Sequence, residues 1–224
     1  MTKNKLIIFD MDNTLIHSHL DYPLMKAETL RLLALGGVEA DESLWVAKIM
    51  AQARLHPRMT DQLEEAVWQR LGEIEIAGLA AASPEPGVEQ VLACLESEAY
   101  LAVLTNNLDE AACLALDKLG LIGYFSFVAG RGRVPGMKPA PDGYIYLKGL
   151  HPDACHYLAV GDAVIDLLAA NSAGIPFAAY NRSRRENWPT NPAPCLFLQS
   201  WEDPEIREKL LTNCRHCARR DKFE

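Results

Sequence analysis

LIIFDMDNTLI, residues 6–16, runs four apolar side chains into Asp10, comes back after one residue to Asp12, and passes Thr14 before turning apolar again. An apolar run this short, set between Lys5 and Asp10, suits a strand covered on both faces better than a helix. Ending such a strand on two carboxylates makes sense only if that end of the sheet has a use for negative charge. Similar short apolar runs recur at 100–104, 125–129, 156–160 and 177–180, with helical patterns or long loops between them. This alternation predicts an α/β fold, a doubly wound parallel sheet with helices on both faces. Residues 195–198 are expected to add an edge strand and 203–211 a closing helix.

One interval breaks the alternation. From about residue 17 to 83 there is no strand pattern, and several stretches read as helices. In 60–80, Leu63, Val67, Leu71 and Ile74 recur at steps of three and four, and Thr60 stands where an N-terminal cap belongs. Asp41 or Ser43 is expected to start another helix, with Leu44, Ala47, Met50 and Ala51 on one face and Pro57 at its end. The stretch SPEPG at 83–87 reads as the linker back. The organisation predicted is an α/β core of residues 1–16 and 84–224, interrupted by a small helical cap domain at 17–83. An insertion at that point belongs over the carboxyl ends of the strands, where open α/β folds bind ligands.

At 224 residues, 49% hydrophobic and 23% charged, the chain has the composition of an ordinary globular protein with a substantial core. Its 22 Lys and Arg against 30 Asp and Glu leave a net charge of −8, so its field repels polyanions and argues against nucleic-acid binding. The apolar run behind the N-terminus is broken by Asp10 and Asp12 and is too short to cross a membrane. A cytoplasmic protein is expected, with a monomer as the default and a dimer as the alternative. Six cysteines, at 94, 113, 155, 195, 214 and 217, are scattered in a way that fits reduced, buried thiols better than a disulfide framework.

The strand ends carry the chemistry. Asp10, Asp12 and Thr14 follow the first strand, Thr105, Asn106 and Asn107 the second, and Gly161 and Asp162 the fourth, with Asp166 a helical turn further on. Lys138, in the loop GMKPAPDG, follows the third strand and precedes a helix that Pro141 can begin. Carboxylates gathered in a mostly buried place repel one another unless a cation sits among them. Oxygen donors with room for water suit Mg²⁺ better than zinc. Thr105, Lys138 and main-chain N–H groups after Asp10 can then hold the oxygens of a phosphate. Alone, Asp10 and Asp12 have a plainer reading as a strand-end turn and Asp166 as a residue of a first helical turn; their joint occurrence with Thr105 and Lys138 at successive strand ends favours a site.

FDMDNTL, LTNN, Lys138 before Pro139, and GDAVID resemble, in order, the four motifs of the haloacid dehalogenase superfamily, over most of residues 5–180. The resemblance is to the branch with a small helical cap between the first two motifs, that of the phosphoglycolate phosphatases. It implies a Mg²⁺-dependent phosphatase acting on a small phosphorylated metabolite. In that scheme Asp10 is the nucleophile that forms an aspartyl-phosphate. Asp12 protonates the leaving alcohol, later takes a proton from water, and lends the metal only its main-chain carbonyl. Asp162 is a second carboxylate ligand, Asp166 ligates directly or through water, and Thr105 with the N–H of Asn106 clamps the phosphate. Lys138 neutralises Asp10 and the phosphoryl group. Asn13 replaces the glycine commonest at its position in relatives, but asparagine tolerates the same turn geometry.

The same motifs also serve phosphotransferases and mutases of sugar phosphates, and a non-catalytic phosphate-binding module is a third reading. A dehalogenase fits less well, since Asp12, Asp162 and Asp166 are all retained. Arg131 and Arg133 read as a solvated loop or as contacts to an acidic substrate. His17, His19, Tyr22, Arg54 and Arg58 fall in or near the cap and read as surface or packing residues. Arg182, Arg184 and Arg185 read as an exposed loop, or, since it follows the fifth strand, as a border of the site's mouth. Cys214 and Cys217, in CRHC, look like half of a zinc site, but without a partner pair they read as a frayed, reduced segment, with a metal site completed across a dimer as the alternative.

Overall fold

The structure, a computed structural model, describes residues 3–180 and 188–216. Arg182, Arg184, Arg185 and Cys217 lie outside the described residues. In chain order the first elements are β1 (Lys5–Phe9), β2 (Ile16–His17), α1 (Tyr22–Leu35), α2 (Val46–Ala53), α3 (Asp61–Leu79) and β3 (Ser83–Pro84). Then come α4 (Val88–Leu95), β4 (Tyr100–Leu104), α5 (Asp109–Lys118), β5 (Phe127–Ala129), α6 (Asp142–Leu150) and β6 (His156–Gly161). The last are α7 (Val164–Ser172), β7 (Phe177–Tyr180), β8 (Leu196–Leu198), α8 (Ile206–Asn213) and β9 (Arg215–His216).

The main sheet has the order β5-β4-β1-β6-β7-β8, all parallel, and β9 adds an antiparallel pairing to the start of β6. The order reverses direction at β1, the switch point at which doubly wound sheets open a crevice at their carboxyl ends. Residues 6–9 are completely buried, as the unbroken apolar run requires. Leu6 and Ile8 face a cluster that includes Tyr144 and Leu147 of α6 and Leu167 of α7. Phe9 points to the opposite face, edge-on to Phe125 and 6.0 Å from the Trp201 ring. Register fixes the site: Phe9 lies opposite Val103 on one side and Val160 on the other. The residues just beyond these ends, Asp10, Thr105 and Asp162, therefore leave neighbouring strands spaced about 4.8 Å apart.

The chain divides into two compact units, residues 1–17 with 83–224, and 18–82. The second unit is a small helical region of its own, in which α1 and α3 pack together and α2 closes a core of Met25, Leu33, Ile49, Met50, Val67, Leu71 and Ile74. Thr60 caps α3, its hydroxyl accepting from the N–H of Leu63 at 3.2 Å. The helix expected from Asp41 or Ser43 starts later, at Val46. Asp41 spends its carboxylate on the N–H and hydroxyl of Ser43, closing a local turn in place of a cap. Likewise β5 begins at Phe127, because Phe125 ends a short 3-10 turn and its half-buried ring packs edge-on to Phe9 without being in a strand. The five described cysteines are free; Cys214 is buried, but Cys94 and Cys195 are exposed, contrary to a wholly buried set. No described helix is long and apolar enough to cross a membrane.

Candidate active site

The chain leaves β1 through a tight turn in which Asn13 takes the left-handed conformation, φ +56°, that glycine otherwise supplies. Leu15 and Ile16 donate back to the carbonyl of Met11, so Asp10 and Asp12 are both buried at the head of a closed loop. Thr14 donates from Oγ1 to Asp10 Oδ2 at 3.2 Å. The indole of Trp201 in turn donates to the carbonyl of Thr14 at 2.7 Å.

Lys138 comes from the loop after β5 and is 3% exposed. Its ammonium lies 2.6 Å from Asp10 Oδ1 and 2.6 Å from Asp166 Oδ1, and it donates to the carbonyl of Leu104 at 2.9 Å. Burial works against the ammonium, but the charges of Asp10 and Asp166 outweigh it and hold its pKa above that of an ordinary lysine. Asn106 fixes the main chain at this point, donating from Nδ2 to the Lys138 carbonyl and accepting the Lys138 N–H at Oδ1. The Asn106 side chain is thereby tied to the main chain of Lys138 at both its oxygen and its nitrogen.

Asp162 and Asp166 come from the end of β6 and the first turn of α7. Gly161 between sheet and helix is dictated by space, since a Cβ there would sit 2.7 Å from Asp166 Oδ2. Asp166 also accepts the N–H of Ala163 at 3.1 Å, which ties its carboxylate to the helix start. One oxygen from each of Asp10, Asp162 and Asp166 falls within 4.8 Å of the others. Burial first, then the charges of Asp10 and Asp166, raise the pKa of Asp162 above the usual carboxylate range. Asp166 is also raised by burial, although Lys138 pulls it the other way. Three carboxylates at this separation, those of Asp10 and Asp166 buried and that of Asp162 half-buried, are a ready cation site, and an all-oxygen donor set suits Mg²⁺.

Of the residues expected from the sequence, the structure thus brings Asp10, Lys138, Asp162 and Asp166 together around one point. The Asp12 carboxylate is not in that group; its Oδ2 accepts from Asn107 Nδ2 at 2.6 Å. Thr105 is buried one residue beyond β4, and its Oγ1 accepts the N–H of Asn107 at 3.2 Å, which leaves its own hydrogen to give. Arg131 is half-buried and reaches the carbonyl of Asn106, whereas Arg133 stays exposed, pairing with Asp109 at 3.3 Å and lying over the Phe127 ring. Asp109 also takes the N–H groups of Gly130 and Gly132, both at 2.8 Å, latching that loop to the start of α5. The sequence places Asn107 at the end of the second strand without giving it a role, and it does not mark Asp109 or Trp201 at all. Asn107 is the second of two adjacent asparagines, and nothing in the local pattern singles out Asp109 or Trp201.

The sequence profile of the haloacid dehalogenase-like hydrolases matches residues 4–174. A phosphoglycolate phosphatase of Mesorhizobium japonicum is 33% identical, over 94% of this chain and 98% of the relative. A phosphoglycolate phosphatase of Pasteurella multocida is 32% identical, over 78% of this chain and 84% of the relative. Among solved structures, the magnesium-bound YfnB of Bacillus subtilis has the same fold, with a TM-score of 0.61 at 18% identity over 93% of this chain and 99% of that one.

Proposed function

The chain belongs to the haloacid dehalogenase-like hydrolases, as a phosphatase of that family, and from this premise we propose that it is a Mg²⁺-dependent enzyme that hydrolyses small phosphomonoesters through a phospho-aspartate on Asp10. Phosphoglycolate is the first substrate to test, by similarity to the two curated relatives. The observation that carries the reading is the convergence of Asp10, Asp162 and Asp166 beside Lys138.

Asp10, Asp162, the main-chain carbonyl of Asp12, and Asp166 directly or through water are the groups that would hold the ion. When bound, Mg²⁺ neutralises charge on the carboxylates and on the phosphoryl oxygens. An Asp10 oxygen attacks phosphorus, and the ester P–O bond breaks as Asp12 protonates the departing alkoxide. Water then attacks the phospho-aspartate, gives a proton to Asp12, and frees Asp10 and inorganic phosphate. Lys138 sits against Asp10 throughout and steadies the charge that moves from carboxylate to phosphoryl group. The Thr105 hydroxyl and the Asn106 N–H supply donors to the equatorial oxygens. The helical unit at 18–82 acts in this scheme as a cap that selects the alcohol and excludes bulk water.

The test is release of inorganic phosphate from a broad panel of phosphomonoesters, phosphoglycolate included, with Mg²⁺ and with chelator. Turnover of at least one metabolite-sized ester that disappears with chelator is expected. Turnover indifferent to Mg²⁺, or isomerised sugar phosphate formed without free phosphate, overturns the reading.

A further inference from the structure

Asn107 is 5% exposed and is held on three sides. Its N–H donates to Thr105 Oγ1, its carbonyl accepts the Arg131 N–H at 2.9 Å, and its Nδ2 meets Asp12 Oδ2 at 2.6 Å. The backbone on either side is fixed as well: Thr105 donates to the carbonyl of Ala129, and the neighbouring Gly130 has no room for a Cβ, which would lie 2.6 Å from the Asn107 carbonyl. The carboxamide is thus presented by a rigid loop. An amide nitrogen donates and never accepts, so Asp12 Oδ2 serves as an acceptor whether or not the carboxyl group is protonated. A proton carried by Asp12 must then sit on the other oxygen.

We infer that Asn107 is a positioning residue that locks the rotation of the Asp12 carboxyl group, leaving Oδ1 as the atom that gives and takes the proton. The inference rests on the proposed role of Asp12 as general acid and base. In the first half-reaction the P–O bond electrons go to the alcohol oxygen, which receives the proton from Oδ1. In the second, the water attacking phosphorus passes its proton to Oδ1 as the bond from phosphorus to Asp10 breaks. Without the amide the hold on Oδ2 is lost, and the proton is out of place for part of the time.

A misplaced acid hurts a poor leaving group and spares a good one. Asn107→Ala and Asn107→Ser, the second keeping a polar side chain too short to reach Asp12, are compared with the parent on alkyl phosphates and on p-nitrophenyl phosphate, with kcat/KM as the readout. Expected is a loss of about 10- to 100-fold on the alkyl esters, part of what general acid catalysis supplies, and less than about 3-fold on the nitrophenyl ester. Equal losses on both classes, or no loss on either, overturn the inference. Asp12→Asn is run beside them. If it shows the leaving-group dependence and the Asn107 variants do not, only the Asn107 role fails; if Asp12→Asn is itself indifferent to the leaving group, the acid–base reading of Asp12 fails first.

Discussion

The Trp201 indole reaches across 187 residues of sequence to donate to the carbonyl of Thr14, the residue whose hydroxyl holds Asp10. The indole is stacked on Tyr180 at 4.6 Å, and the Tyr180 hydroxyl donates to Glu85 beside β3. Trp201→Phe keeps most of the stack and removes the N–H, leaving a buried carbonyl unsatisfied. The expected result is a loss of about 1–3 kcal/mol in chemical denaturation and a lower kcat with KM little changed. A fully stable, fully active variant would show that the hydrogen bond is dispensable.

Asp10→Asn removes the proposed nucleophile without changing side-chain volume. Turnover should fall by on the order of 10³ or more while the far-UV circular dichroism spectrum stays that of the parent. Retention of a substantial fraction of activity would place the nucleophile elsewhere.

Lys138→Met takes the ammonium out of a buried set of carboxylates. Removing one partner from a buried ionic group costs about 3–5 kcal/mol, so the metal-free variant should melt well below the parent. Added Mg²⁺ should recover part of that loss, because it supplies positive charge at the same point. Melting curves with chelator and with Mg²⁺ decide it; a variant as stable as the parent in chelator contradicts the geometry.

The pH dependence follows from the raised carboxyls of Asp162 and Asp166. A carboxyl group with a higher pKa folded than unfolded stabilises the fold when protonated. In chelator this contribution is complete below the ordinary carboxylate pKa of about 4 and is lost as pH rises through the raised values. Mg²⁺ needs the ionised forms, so it competes with protons at low pH and binds freely at higher pH. The rise in Tm on adding Mg²⁺ should therefore grow from pH 5 to pH 8. A rise that is constant, or larger at pH 5, contradicts the assignment.

Asp109→Ala breaks the latch on the loop carrying Gly130, Gly132 and Arg133. Two amide hydrogen bonds and a partly exposed ion pair are lost, for an expected cost of about 1–3 kcal/mol. Faster amide exchange at residues 130–133 is the accompanying sign, and unchanged exchange rates would show that the loop holds without it.

The sheet was legible because its strands are buried on both faces, so hydrophobicity alone outlines them. The ends of β1, β4, β6 and β7 fall within a residue of the apolar runs. The strand expected at 125–129 came out shorter because apolar character reports packing rather than strand pairing, and Phe125 packs its half-buried ring on Phe9 from the end of a turn. Helix α1 had no sharp signature: Met25, Thr29 and Leu33 face inward, but Leu24 and Leu35 on the same helix are exposed, which blurs the apolar stripe. Asp10, Lys138, Asp162 and Asp166 could be gathered from sequence since each stands at a strand end or loop that register brings to one edge. The supporting contacts could not. Asn107 to Asp12 and Trp201 to Thr14 join residues far apart in the chain through side-chain geometry that no local pattern encodes.

The two-residue ladder of β2 with β3, Ile16 opposite Pro84 and His17 opposite Ser83, makes the chain leave and re-enter the α/β unit through adjacent antiparallel strands. Everything between them is a closed excursion whose two ends lie about one strand spacing apart. A short hairpin joining His17 to Ser83 would excise it, and a foreign module could be spliced in its place, with the spacing of Asp10, Thr105 and Asp162 untouched. The architecture thereby separates the part that can be exchanged from the part that must be inherited whole.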